Sequence, residues 1–293
     1  LWVFVNVKRP LLWTSTLAWT LLSRCIPLNF SMEKMMKLKS KVLLAFLATS
    51  AAAFAQTAPA APESTLSYNV GVVSEYRYRS IGQTKGTPAL QGGVDYAHSN
   101  GFYAGAWGST IKWIKEAGVA NSYDAKGSVE IDLYGGYKGE AAGVAYDVGY
   151  LRYQYQGNTL GNKPTVYTDA NTDEIYGALT MGVVTAKYSY SLSDLFGNLN
   201  SKGSTYLDLS ATFDLGNGYS VVPHVGRQVI KNSTTATSTG NYTDVSFTLN
   251  KDLGDGLSAS VSAITTNANK NFYTVNNYYQ GKNITVLGVK YSF

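Results

Sequence analysis

Two histidines, one cysteine and 19 carboxylates are the chain's supply of side chains for acid, base, nucleophile or metal chemistry. Nucleophilic catalysis needs a base within hydrogen-bond reach of the nucleophile. On a strand, that means residues two apart on one face. His98 is followed at that spacing by Asn100 and His224 by Gly226, so neither offers a serine; the positions two before them hold Tyr96 and Val222, so neither offers an aspartate. Cys25 lies in a basic leader, which leaves the rest of the chain without thiolate chemistry or a cysteine-based metal site. Asp169, Asp173 and Glu174 fall in a polar connection and read as solvated acids. Gly82-Gln83-Thr84-Lys85-Gly86 lacks the spacing that cradles phosphate. The residues therefore predict no enzyme, no metal and no cofactor.

What remains is charge at two-residue spacing. Glu75, Arg77 and Arg79, then Gln91 and Asp95, Glu130 and Asp132, Asp147, Lys187, Asp208 and Lys290 all sit between apolar neighbours. On strands these side chains share one face, and a face with charges of both signs suits a wet lumen far better than lipid. They are the candidate lining of a pore for ions and small polar solutes, with mixed signs arguing against strong selectivity. Arg77 and Arg79, read as neighbouring same-face positions, are expected to concentrate positive charge near the outer mouth.

The elements that must hold these charges announce themselves by period. Leu66, Tyr68, Val70 and Val72 alternate with polar residues, Tyr76 and Tyr78 continue the pattern, and the same habit recurs to Leu287, Val289, Tyr291 and Phe293. About twelve strands result, most near the ~10 residues that tilt across a bilayer. Short turns are expected at Ser99-Asn100-Gly101, Lys138-Gly139-Glu140, Met181-Gly182, Gly216-Asn217-Gly218 and Gly254-Asp255-Gly256. Between them run long polar connections. An even strand count with this alternation predicts an all-β, antiparallel transmembrane β-barrel with short periplasmic turns and long extracellular loops. A soluble lipocalin-like barrel would turn its apolar face inward; export and tyrosines near strand ends favour the membrane.

Composition agrees. Charged residues make up 15% and hydrophobic ones 45%, with 29 glycines and 23 tyrosines. Mean hydropathy is only −0.10. The net charge of +5 comes from the first 55 residues, which hold seven of the 24 bases and one of the 19 acids; the rest has 17 bases against 18 acids, so no nucleic-acid surface is expected. Residues 36–55 read as a signal peptide, with Met36-Lys37-Leu38-Lys39-Ser40-Lys41 basic, Val42 to Ala52 apolar, and a cut after Ala55. Residues 1–35 read as an over-extended gene start. Residues 56–65 form an Ala/Pro-rich periplasmic lead-in, and 66–293 form the barrel.

The chain ends Gly288-Val289-Lys290-Tyr291-Ser292-Phe293. Gly288, Tyr291 and Phe293 resemble the closing-strand assembly signal of bacterial outer-membrane proteins; the polar residue often found two before the glycine is replaced by Val286. The run Tyr68 to Ser80, the run Pro88 to Tyr96, and Gly101-Phe102-Tyr103-Ala104-Gly105-Ala106-Trp107-Gly108-Ser109 resemble the opening of the TorF-type porins, a family long described as conserved hypothetical outer-membrane proteins. That resemblance implies a single-chain barrel of a Gram-negative outer membrane with a pore function. The expected partners are outer-membrane lipid, the barrel-assembly machinery, and small polar solutes or ions. The expected function is passive diffusion through a porin-like channel. The alternative is a structural or surface-interaction barrel with a closed lumen, using loops such as 156–172 and 268–282.

Overall fold

A computed structural model of the protein describes residues 63–293. The leader, the signal peptide and most of the lead-in lie outside the described residues. Thirteen segments join one sheet, and two of them are a single strand interrupted at Thr212, so the sheet has twelve strands. These are β1 (Ser64–Val73), β2 (Ala89–His98), β3 (Phe102–Thr110), β4 (Val129–Ala141), β5 (Val144–Tyr155), β6 (Thr172–Met181), β7 (Val184–Ser191), β8 (Thr205–Ala211, continued by Phe213–Gly216), β9 (Tyr219–Val229), β10 (Tyr242–Gly254), β11 (Leu257–Thr266) and β12 (Ile284–Ser292). Each pairs antiparallel with its chain neighbour, and β12 pairs with β1. The sheet is a closed antiparallel barrel with no free edge.

Closure is made by the residues that the last strand's motif singles out. Tyr68 and Phe293 exchange both backbone hydrogen bonds, at 2.8 and 2.9 Å. The Phe293 ring stacks on Tyr68 and on Tyr291, each at 5.6 Å. Gly288 belongs there because a Cβ would stand 2.6 Å from the Ser260 hydroxyl.

The two-residue period sorts side chains cleanly. Leu66, Val70, Leu90, Leu133, Val148, Leu179, Leu209, Phe247, Val261 and Leu287 point outward and are exposed. The apolar face of every strand is thus on the outside, opposite to a soluble barrel. Outward aromatics gather at the short-turn end, where Tyr96, Phe102, Tyr137, Tyr146, Tyr219 and Tyr291 join Tyr68 and Phe293.

The short turns are Asn- and Gly-rich, as two-residue hairpins require: Asn217-Gly218 and Asp255-Gly256 have φ of 51° and 76°, and of 49° and 80°. One expected turn moves. Lys138-Gly139-Glu140 stays in strand and the reversal falls at Ala142-Gly143. Gly139 serves a close approach instead, because the Tyr146 ring lies over it where a Cβ would stand.

At the other end the connections are long and partly folded. They carry the helix α1 (Trp113–Ala120), a 3₁₀ turn at Leu160–Asn162 and the short helix α2 (Lys270–Tyr273). The buried apolar cluster lies here: Ile111, Ile114, Ala117, Ala125, Leu160 and Ala170 pack with Tyr76, Tyr153 and Tyr155. The protein keeps its oily core under its loops, while the barrel turns its oil outward.

Candidate functional site

β1 stops at Val73, and Ser74–Pro88 does not continue the strand. This segment folds into the barrel interior at the long-loop end, as its contacts with inward-facing strand residues show. It reverses through a miniature hairpin, Arg77–Tyr78 against Ile81–Gly82. Arg79 and Ser80 take the turn with φ of 45° and 66°. Neither is glycine, so the left-handed backbone is strained and must be held by its surroundings.

The holding contacts come from strands around the wall. Arg79 Nη2 donates to Glu174 Oε2 of β6 at 2.7 Å, and Nη1 to Gln228 Oε1 of β9 at 2.9 Å. Its guanidinium lies 4.4 Å from the Tyr206 ring of β8 and 4.9 Å from that of Tyr78. Burial acts to lower the guanidinium's pKa, but Glu174 and Tyr78 outweigh it and hold the value above the ordinary one. Ser80 Oγ donates to Asp244 Oδ1 of β10 at 2.7 Å, and the Tyr242 hydroxyl donates to the Arg79 carbonyl at 2.8 Å. Tyr76 donates to Glu130 Oε1 of β4 at 2.7 Å, and the Tyr78 and Tyr153 hydroxyls are in hydrogen-bond contact. Within the loop, Arg77 pairs with Glu75 at 2.9 Å, and Glu75 also accepts from Tyr278 at 2.7 Å and from the Gly86 N–H at 3.0 Å.

Glu75, Arg77 and Arg79 are therefore not alternating strand residues, contrary to the periodicity. Tyr76 and Tyr78 mimic a sixth and seventh strand position but are anchors of the inserted loop. Nor do the two arginines project positive charge toward a mouth, because each is matched by a carboxylate that is only 1% exposed, Glu75 or Glu174.

The other predicted positions lie on strands and face the interior. Glu130 and Asp132 are buried beneath the loop, and Asp132 Oδ1 and Glu174 Oε1 have no hydrogen-bond partner. Further from the loop, Asp147 accepts from Tyr103 at 2.5 Å and stands 4.0 Å from Lys138. Lys187 lies 3.8 Å above the Tyr176 ring. Asp95 accepts from Tyr134. Gln91 donates to Ser109 at 3.3 Å, while Lys290 is exposed. These inward tyrosines lie across glycines of the neighbouring strand: Gly105 would place a Cβ 2.5 Å from Tyr134, and Gly226 has the Tyr206 ring against it.

Several residues at the centre of this network escape sequence reasoning. Glu174 reads as a loop acid, yet it is the third residue of β6 and 1% exposed; its neighbour Asp173 points outward and pairs with Arg152 at 2.9 Å. His224 reads as an isolated mid-strand histidine, yet its Nδ1 is 3.1 Å from Asp208 and its Nε2 is 2.9 Å from Asp244. Cross-strand register brings these together: Asp208 and Asp244 both stand opposite Gly226, on either side of β9. The one signal was the parity of Asp244 and Gln228 with the neighbouring inward positions. Among the described residues no group of three or more metal-ligating side chains is close enough to hold an ion.

Residues 56–293 match the profile of a family described as "Bacterial protein of unknown function (Gcw_chp)". No curated protein matches the sequence. Among solved structures, the chain is similar to a KdgM porin in complex with disordered oligogalacturonate, at 8% identity and a TM-score of 0.46, over 78% of this chain and 99% of that one. It is also similar to the NanC porin at 11% identity and a TM-score of 0.44, over 78% and 98%. OprD of Pseudomonas aeruginosa matches at 13% identity and a TM-score of 0.39, over 78% and 66%.

Proposed function

The chain belongs to the Gcw_chp family of bacterial proteins of unknown function, and from that premise we propose that it is an outer-membrane, porin-like channel for passive diffusion of ions or small hydrophilic solutes. The observation that carries this reading is the inversion of the barrel, apolar outside and charged inside. An outward apolar surface around a closed sheet is satisfied by lipid. An interior holding Asp95, Asp147, Lys187, Asp208 and Lys290 is satisfied by water and passing ions. The aromatic girdle at the short-turn end supports the same placement, since tyrosine and phenylalanine rings suit a membrane interface. The likeness of the opening strands to TorF-type porins supports it further, as do the signal-peptide grammar of residues 36–55 and the closing motif Gly288, Tyr291 and Phe293 as an assembly signal.

In this reading solutes enter at the long-loop end, pass beside the inserted loop Ser74–Pro88 and leave past the short turns. The loop sets the bore. Mixed signs below it give weak ion preference, and no residue acts as a catalyst. A second reading has a specific observation in its favour: the loop is latched to β4, β5, β6, β9 and β10 by buried groups. A latch that never opens would make this a closed structural barrel that meets partners through its loops.

Planar-bilayer recording separates the two. Protein refolded from Gln56 onward, and shown by heat-shift electrophoresis to be folded, is expected to give discrete steps with a reproducible reversal potential. A silent bilayer from folded protein overturns the channel and leaves the structural barrel.

A further inference from the structure

At the long-loop end, the inserted loop, the connections and the ends of β5, β9 and β10 line a cavity of about 290 Å³. It lies at the small end of the ~300–1,000 Å³ typical of ligand pockets, with room for one ring and its substituents but not a chain. Its walls are aromatic, with Trp113, Tyr155, Tyr167, Phe196, Tyr242 and Phe272 among them. Two tyrosine O–H donors are already used on protein, Tyr242 on the Arg79 carbonyl and Tyr273 on the Gly240 carbonyl, while Tyr167 accepts from Asn121 and keeps its own O–H to donate. What these residues mainly offer is their ring faces.

The polar part of the lining is as informative. No carboxylate lines the cavity, and its only cation, Arg79, is matched at 2.7 Å by Glu174. An ion bound there would find no counter-charge, and an anion would have to compete with Glu174 for the guanidinium. Gln83 uses its side-chain N–H on the Ile81 carbonyl and Asn198 uses its own on the Leu195 carbonyl. Both keep an amide oxygen able to accept. Uncharged walls, aromatic faces and amide acceptors fit a neutral ring with a flat apolar side and hydroxyl donors at its edge.

We propose that this vestibule is a binding site for a small uncharged hydroxylated ring, the chemistry of a neutral monosaccharide, formed by the inserted loop, the long connections and the loop-side ends of β5, β9 and β10, and independent of whether the lumen conducts. The C–H face of such a ring stacks on the aromatic walls while its hydroxyls donate to Gln83 and Asn198. The site would gather such a ring at the long-loop end.

The test uses protein from Gln56 onward, which contains only two tryptophans, Trp107 and Trp113. In a Trp107→Phe background the emission reports Trp113 alone. Titration of the folded protein in detergent with methyl β-glucopyranoside is expected to give a saturable change. Glycerol, which has hydroxyls but no ring, gives none, and glucuronate saturates only at higher concentration. Phe196→Ala removes a wall and is expected to weaken the response about tenfold. Gln83→Met keeps the volume, removes an acceptor and weakens it less. A change linear in sugar, or one that glucuronate drives at lower concentration than the neutral ring, overturns the proposal. A saturable fluorescence response from protein that is silent in a bilayer removes the channel and keeps the vestibule; conducting protein without saturation does the reverse.

Discussion

Charged residues in the barrel interior meet two different environments. Beneath and within the inserted loop, Glu75, Glu174 and Asp244 are at most 1% exposed, and each accepts hydrogen bonds from at least two protein groups. Further down, the side chains of Asp147 and Lys138 keep 26% and 60% of their surface. The sequence uses the same residue types in both places. Burial decides what they do: a buried ion pair is expensive to break because the survivor is left uncompensated, whereas a half-exposed charge remains available to ions in water. The upper charges hold a loop across the bore, and the lower ones stay open to solvent.

The strongest way to break this division is to remove what both regions need. Deleting Phe293 takes away the β1–β12 seam contacts with Tyr68, and most protein is expected to fail the heat-shift test for folded barrel; full native assembly would show that closure does not depend on it. Next comes Arg79→Ala, which strands Glu174 and releases Gln228. Removing one partner of a buried pair costs about 3–5 kcal/mol, enough to unlatch the strained turn. Single-channel conductance should rise and become noisy while the barrel stays folded. The pair of substitutions Arg79→Met and Glu174→Gln, which leaves no orphan charge, should restore much of the quiet, low-conductance state. An Arg79→Ala channel with unchanged conductance would mean that the loop does not set the bore.

Lys187→Gln probes the lower region. It should shift the reversal potential in a salt gradient toward cations and leave conductance and melting nearly unchanged. A large loss of stability instead would make Lys187 a latch residue like Arg79. The smallest effect is expected at the loop surface, where burial acts to raise the Glu116 pKa but hydrogen bonds from Lys85 and Asn276 prevail and hold it below the ordinary value. A lowered folded-state pKa gives stability that is present above the ordinary carboxyl range and is lost as pH falls through the lowered value. Acidification below about pH 4 should therefore loosen this contact, by under about 1 kcal/mol for a partly exposed pair. Glu116→Gln should remove that acid dependence from loop protease sensitivity.

Much of the barrel was legible because a strand has a period of two and one parity, the outward one, is mainly apolar. Leu66 to Val72 and Leu287 to Phe293 needed no further information. The inserted loop was illegible for the same reason: Tyr76 and Tyr78 alternate with Glu75, Arg77 and Arg79 as a strand would. The reversal at Arg79 and Ser80 carries no glycine or asparagine to mark it. Its anchors, Glu174, Gln228 and Asp244, lie 95, 149 and 164 residues away from the groups they hold. A pairing at such separation leaves no local trace. Gly139 misled differently, since a glycine that makes room for a tyrosine looks in sequence like one that makes a turn.

The seam between Tyr68 and Phe293 also orders events in time. Every other strand pairing in the barrel joins chain neighbours and can form as a local hairpin. Among the strand pairings the seam alone joins residues more than two hundred positions apart, and bringing such distant segments together carries the largest loop-closure entropy of any of them. Eleven hairpin contacts can accumulate as an open, curling sheet, but the inserted loop has no enclosed bore to settle into until the twelfth is made. Barrel closure and loop latching should therefore appear as successive kinetic phases, with latching never the first.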